Sequence, residues 1–128
     1  MSRAILKNLK ALPRGVATLG AYARGDGRAP LPSALWIEPT NRCNLRCVMC
    51  PTRLRPKEKT GFMAIEAYRA ILDEVSPFLT TVYLFLGGES LLHRDLPEMI
   101  RYAHRKGVAV RLNTNATLLT RERGEELI

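Results

Sequence analysis

The sequence predicts an α/β fold in which parallel strands alternate with covering helices, preceded by a basic helical leader. Two observations carry this expectation. From residue 34 onward, short β-branched and aromatic runs alternate with stretches of helical hydrophobic period, an order that implies parallel β/α units with right-handed crossovers. The residues with chemical character, three cysteines, a Gly-Gly-Glu and an Asn-Thr-Asn, each directly follow one of those runs.

The leader, residues 1–33, places Ile5, Leu6, Leu9 and Leu12 at helical spacing with lysines between them. Pro13 and Arg14 interrupt the only candidate apolar core of a secretory signal. Gly and Pro then concentrate in "RGDGRAPLPS" (24–33), which reads as a linker before the motif-bearing domain, residues 34–128. "ALWIEP" (34–39) is a strand ending at Pro39, with Trp36 expected in the core. The cysteine segment and a polar, basic stretch, "TRLRPKEKTG", follow as an extended loop.

Residues 64–75 have helical spacing, and Pro77 forbids continuation. "TVYLFL" (81–86) is a strand, broken by "GGES". Asp95 with Glu98 three residues on resembles a capping box, Pro97 suits a first helical turn, and Gly107 suits the residue after a helix end. "VAVRLN" (108–113) is the third strand, and a third helix starts from Thr120. Parallel sheets carry their functional loops at the C-terminal ends of the strands, so the three motifs share one rim. Ile128 falls in mid-helix with no further strand, and three strands leave an unpaired sheet edge. The expectation is the N-terminal part of a larger open or closed β/α barrel.

The composition, 46% hydrophobic and 25% charged, is that of a globular protein. No stretch approaches the roughly 20 apolar residues that span a bilayer. The formal charge is +8, but residues 1–33 carry six Lys/Arg and one acid, whereas residues 34–128 carry fourteen and eleven. The excess sits mostly in the leader, which favours a solvated or anionic-surface-touching helix over specific nucleic-acid binding. The expected compartment is the cytoplasm, where clustered cysteines serve metals or catalysis and not disulfides.

All three cysteines lie in "TNRCNLRCVMCP" (40–51), as Cys43, Cys47 and Cys50. Thiolates prefer zinc, copper(I) and the iron of iron–sulfur clusters, and these short spacers let successive sulfurs point into one bowl. Four-iron clusters normally take four thiolates, so three leave a position open for an exchangeable group. A structural zinc site closed by His93 or His104, and a non-catalytic binding protein, remain alternatives. His93 otherwise reads as a turn cap and His104 as solvated.

The segment "CNLRCVMC" resembles the Cys-x3-Cys-x2-Cys signature of the radical S-adenosylmethionine (radical SAM) superfamily, and "LFLGGESLLH" resembles that family's Gly-Gly-Glu segment. The likeness covers about residues 34–128, the opening half of the family's partial TIM-type (β/α)6 barrel. It implies that Cys43, Cys47 and Cys50 ligate a [4Fe–4S] cluster whose fourth iron is chelated by S-adenosylmethionine. One electron, from a donor such as flavodoxin or ferredoxin, then yields methionine and a 5′-deoxyadenosyl radical that abstracts hydrogen from a substrate. The cofactors carry that step and the protein positions them.

By the same resemblance Gly87, Gly88 and Glu89 meet the methionine end of the cofactor. Glycines permit close backbone approach to a ligand, and Glu89 suits a charged amino group. Thr114 and Asn115 stand where similar enzymes contact cofactor or substrate, with a locally bonded turn as the competing reading. Asn41 and Arg42 flank the cysteines and either tune the cluster or hold the loop. Met49 replaces the aromatic residue that relatives often place near the adenine, and its soft sulfur suits packing on a ring. Ser90 replaces the usual Pro after Gly-Gly-Glu, which is expected to loosen the turn and leave an amide free. The loop style resembles the branch with a cysteine-rich, auxiliary-cluster (SPASM) C-terminal extension, which modifies peptides, proteins and other metabolites.

Overall fold

The computed structural model describes residues 16, 18–25 and 31–128; the leader helix expected over 2–12 and residues 26–30 of the linker lie outside them. Residues 18–24 are helical. The rest is a three-stranded parallel sheet, β1 (Ala34–Trp36), β2 (Thr81–Tyr83) and β3 (Ala109–Arg111), in the sequential order β1-β2-β3. Helices α1 (Ile65–Val75) and α2 (Leu96–Arg105) supply the crossovers, and α3 (Arg121–Glu126) follows β3. Trp36, Tyr83 and Arg111 stand in register across the sheet.

The strands are shorter than expected. Their ladders continue by one bond each, Ile37 N–H to the Tyr83 carbonyl and Leu84 N–H to the Arg111 carbonyl, both at 2.9 Å. Beyond these bonds side chains capture the backbone. Glu38 Oε1 accepts the Gly87 N–H at 2.8 Å, and the Ser90 hydroxyl donates to the Leu84 carbonyl at 2.6 Å. The strands end where the loops begin to organise one another.

Strand alternation sorts side chains to two faces. Ile37, Val82 and Leu84 are buried with Tyr68 and Leu72 of α1 and with Leu96, Met99 and Ala103 of α2. The i, i+4 pair on α1 and the i, i+3, i+7 set on α2 are the faces that a helical period requires. Each large apolar side chain so buried contributes about 1.5–3 kcal/mol. Tyr68 sits fully inside and donates its hydroxyl to the Met99 carbonyl at 3.0 Å, which joins the two helices.

Trp36 is not in this core. It is 52% exposed on the opposite face and stacks on Tyr83 at 4.3 Å, with Phe85 edge-on to Tyr83 at 5.9 Å. Its neighbours Leu35 and Ile37 are the ones turned to the helices, so the period of two sends Trp36 the other way.

The helix ends differ from expectation in one place. Pro97 lies in the first turn of α2 and Gly107, at φ +73°, follows its end, as expected. The capping box does not form, because Asp95 makes no side-chain cap bond and Glu98 instead receives Arg69, Arg101 and Arg105. The cap comes from His93, whose Nδ1 accepts the Asp95 N–H at 3.1 Å. Thr120 does cap α3, accepting the Arg123 N–H at 3.2 Å. Among the described residues no helix is long and apolar enough to cross a membrane.

Candidate cofactor site

The cysteine loop leaves the C-terminal end of β1, and its base is pinched shut. Thr40 bridges Phe62, its hydroxyl donates to the Gly61 carbonyl at 2.6 Å, and Met63 N–H bonds the Pro39 carbonyl at 2.8 Å. Asn41 donates to the Lys59 carbonyl and accepts the Gly61 N–H. Arg42 lies over the Phe62 ring, 5.0 Å from its centre. Asn41 and Arg42 therefore both hold the loop. The basic stretch expected as an extended loop is instead two short 3-10 turns, Pro51–Leu54 and Lys57–Lys59.

Within this frame Cys43 and Cys47 are exposed and Cys50 is half-buried, all with free thiols. Cys43 Sγ faces the Leu45 N–H at 3.5 Å and the Asn115 amide at 3.9 Å. Cys50 Sγ lies 2.8 Å from the Thr52 hydroxyl. That hydroxyl bond first, and the Thr52 backbone bond second, lower the Cys50 pKa; burial opposes them, and the charge of Arg55 adds a lesser lowering. A cavity of about 450 Å³ opens beside the loop, lined by Cys43, Asn44, Arg46, Thr52 and Arg53 among others. Met49 is 94% exposed at the loop's tip.

Gly-Gly-Glu follows β2 and is packed against the loop leaving β1. A Cβ on Gly88 would collide with the Thr40 carbonyl oxygen and come within 2.7 Å of that of Arg42. Gly88 is thus required by backbone meeting backbone within the protein. Gly87 is tight as well, a Cβ there falling 3.1 Å from Glu38 Oε1 and from the Thr52 methyl.

Glu89 is 2% exposed, and its carboxylate faces the loop after β3. Oε1 accepts from the Thr114 hydroxyl at 2.8 Å and the Leu91 N–H at 2.9 Å; Oε2 accepts the Asn115 N–H at 2.7 Å. Its own N–H bonds the Arg42 carbonyl at 2.7 Å. The expectation that this carboxylate awaits a charged amino group thus meets a buried group already held by three protein donors. Ser90, expected to loosen the turn, is buried and pinned to Leu84.

After β3, Thr114 and Asn115 form the local turn that a Thr/Asn segment favours, with Thr114 Oγ1 accepting the Ala116 N–H and Asn115 Oδ1 the Thr117 N–H. Ala116 adopts φ +61°, the left-handed region that L-residues with a Cβ avoid. The long-range bonds to Glu89 join this turn to the loop after β2. All three motifs expected on one rim are brought together there.

His93 does not face the site. It is 1% exposed, its Nδ1 is engaged by Asp95 and its Nε2 by the Met63 carbonyl at 2.8 Å. His104 is exposed in the last turn of α2, at the opposite end of the sheet from the rim. A zinc site closed by either histidine therefore lacks its fourth ligand. Among the described residues no three His, Cys, Asp or Glu side chains converge on a single ion.

The profile of the radical SAM superfamily matches residues 37–128, from the end of β1 through all three rim motifs. The chain belongs to the radical SAM superfamily. Fe-coproporphyrin III synthase of Methanosarcina barkeri is 38% identical over 96 residues, 75% of this chain and 24% of that protein. PqqA peptide cyclase of Rhodopseudomonas palustris is 32% identical over 93 residues, 73% of this chain and 25% of the relative. The chain thus spans about a quarter of the length of these radical SAM relatives. Among solved structures, BtrN in complex with AdoMet and 2-DOIA superposes with a TM-score of 0.69 at 24% identity, over 77% of this chain and 42% of BtrN. The fold is that of the superfamily's α/β barrels. Enzymes of this superfamily use a [4Fe–4S] cluster and S-adenosylmethionine to generate radicals.

Proposed function

We propose that Cys43, Cys47 and Cys50 hold a [4Fe–4S] cluster and that the rim beside them receives S-adenosylmethionine. The observation that carries this reading is the convergence of the three rim loops, with Gly88 packed on the cysteine loop and Glu89 bonded to the third. The donor set fits the cluster. Three thiols of one loop are soft ligands, none is paired in a disulfide, and Cys50 is already biased toward the thiolate that iron requires. When bound, the reduced cluster supplies the electron that cleaves S-adenosylmethionine to methionine and a 5′-deoxyadenosyl radical.

The chain's own residues hold and orient. The loop 87–89 offers its main chain to the methionine end, while the Glu89 carboxylate fixes Thr114 and Asn115 of the loop after β3. Met49 is assigned to the adenine, a reading supported by its exposure and by the soft sulfur that suits packing on a ring. Residues 40–61 carry six Lys/Arg and one acid, a local excess that favours an acidic one-electron donor of the flavodoxin or ferredoxin kind. The substrate class is a peptide, protein or other metabolite, as for the cysteine-rich-extension branch that the loop style resembles. The similarity to PqqA peptide cyclase supports the peptide arm.

Anaerobic reconstitution tests the proposal. Brown, air-sensitive absorption with stoichiometric iron and sulfide, lost in Cys47→Ala, is expected. Colourless protein with stoichiometric zinc and no iron would sink it. With reductant and S-adenosylmethionine, the active enzyme forms 5′-deoxyadenosine. A cluster that forms without any such product would favour a non-catalytic iron–sulfur protein.

A further inference from the structure

The three sulfurs differ in their surroundings, and the difference leads to Asn115. Its backbone N–H is held by Glu89 Oε2 at 2.7 Å. Its side chain is oriented without ambiguity. The Thr117 main-chain N–H, which can only donate, meets Asn115 Oδ1 at 3.0 Å, and the Thr117 hydroxyl meets the same oxygen at 2.7 Å. The amide nitrogen must therefore face the other way, toward Asn44 Oδ1 at 3.0 Å and Cys43 Sγ at 3.9 Å. Asn44 is fixed in turn by its own amide, which donates to the Thr117 hydroxyl at 2.7 Å. The asparagine is thus clamped at its backbone by a buried carboxylate and at its side chain by Thr117 and Asn44.

We propose that Asn115 is a positioning residue for the metal centre: its amide N–H donates to the Cys43 sulfur and raises the reduction potential of the cluster, with Glu89 acting as the strut that holds it there. This rests on the reading of Cys43 as a cluster ligand. A donor on a ligating sulfur withdraws electron density and favours the reduced, more negative cluster, and such bonds are among the levers that set cluster potentials. Two asymmetries add weight. Cys43 also receives the Leu45 N–H, and Cys50 shares a bond with the Thr52 hydroxyl in which either group can donate, whereas no such bond to Cys47 is found among the described residues. Glu89, moreover, gives its carboxylate to the two residues of the loop after β3 that set this geometry, so its burial has a consequence at the cluster and not only in the fold.

The test is an electron-paramagnetic-resonance redox titration of the anaerobically reconstituted full chain. Asn115→Ala removes the side-chain donor yet keeps the backbone N–H for Glu89, and should lower the midpoint potential at unchanged iron and sulfide content. Asn115→Asp keeps the acceptor for Thr117 but puts a carboxylate oxygen in place of the amide, and should lower the potential further. Potentials equal to wild type in both variants, with the cluster intact, would overturn the proposal. So would loss of the cluster from both, which would make Asn115 a purely structural residue. A wild-type chain that takes up no iron would instead overturn the cluster reading beneath it.

Discussion

Gly88 and Ala116 sit two loops apart and obey opposite constraints. At Gly88 the obstacle to a side chain is two main-chain carbonyls, which cannot swing aside as a flexible side chain would. Gly88→Ala is therefore expected to cost about 1–3 kcal/mol and to loosen the cysteine loop. Urea denaturation and the iron content after reconstitution should both register it, and wild-type values in both would show that the loops can separate freely. Ala116 carries a Cβ in the left-handed region, at a strain of about 1–2 kcal/mol. Ala116→Gly relieves it at a chain-entropy cost of roughly 0.5–1 kcal/mol, so a net gain of a few tenths to about 1 kcal/mol is expected in the same denaturation assay. Ala116→Val should move the other way. Cys50 gives a residue-scale pH prediction. The Thr52 hydroxyl, above all, holds its thiol below the ordinary value, so alkylation of Cys50 in metal-free protein should persist to lower pH than in Thr52→Ala, followed by peptide mass mapping. An unchanged profile in the variant would remove Thr52 as the cause.

The pairing of α1 with α2 rests on the buried apolar side chains around Tyr68 and, at its edge, on two carboxylates: Asp73, which accepts the Tyr102 hydroxyl at 2.6 Å, and Glu98. Glu98 accepts from Arg105 at 2.8 Å, Arg69 at 3.1 Å and Arg101 at 3.3 Å. These bonds, led by that of Arg105, depress its pKa to about 2 from an ordinary 4.5. A depressed carboxylate contributes stability that is complete above the unfolded pKa and is lost as pH falls through the folded one. The helix pair should accordingly weaken between about pH 4.5 and about pH 2. Glu98→Gln should flatten that part of the stability–pH curve in thermal melts, and an identical curve would show that solvent screens the network completely.

At this scale the legible and the illegible separate cleanly. Helix faces, the stop before Pro77 and the left-handed Gly107 follow from local period and local backbone chemistry, and the sequence carries them. The capping box at Asp95–Glu98 is equally local in pattern, yet Glu98 turns to Arg105 and Arg101 on its own helix and to Arg69, 29 positions away. His93 takes the cap because its other nitrogen is fixed by Met63, 30 positions away. The strands fall short of their propensity for the same reason, since Glu38 and Ser90 redirect backbone that would otherwise stay in the ladder. The three cysteines, Gly-Gly-Glu and the Asn-Thr-Asn segment could be assigned to one rim from chain order alone. That the Glu89 carboxylate would turn inward to Thr114 and Asn115 could not, because both partners lie some 25 residues away and no short-range signal points to them.

As a whole the described sheet has two unlike faces. Helices α1 and α2 seal one, and the other shows Trp36 stacked on Tyr83 beside Phe85, with Glu38 and Arg111 at its margins. Parallel sheets are ordinarily covered on both sides, and in a barrel the second side is the interior. The rim site and this aromatic face therefore meet at the ends of the same strands, so whatever fills the face lies under the cofactor loops. Trp36 is the chain's lone tryptophan, which makes the face directly observable. With Trp36 52% exposed, its emission should be red-shifted and readily quenched by acrylamide in the folded chain, and unfolding should add only the surface that the Tyr83 stack and the strand now cover. Blue-shifted, quencher-resistant emission would show instead that the face is covered in solution. A Trp36→Ser variant, which removes stacking but no buried core contact, should then cost far less stability than Val82→Ala on the sealed side, where a fully buried strand residue faces the helices.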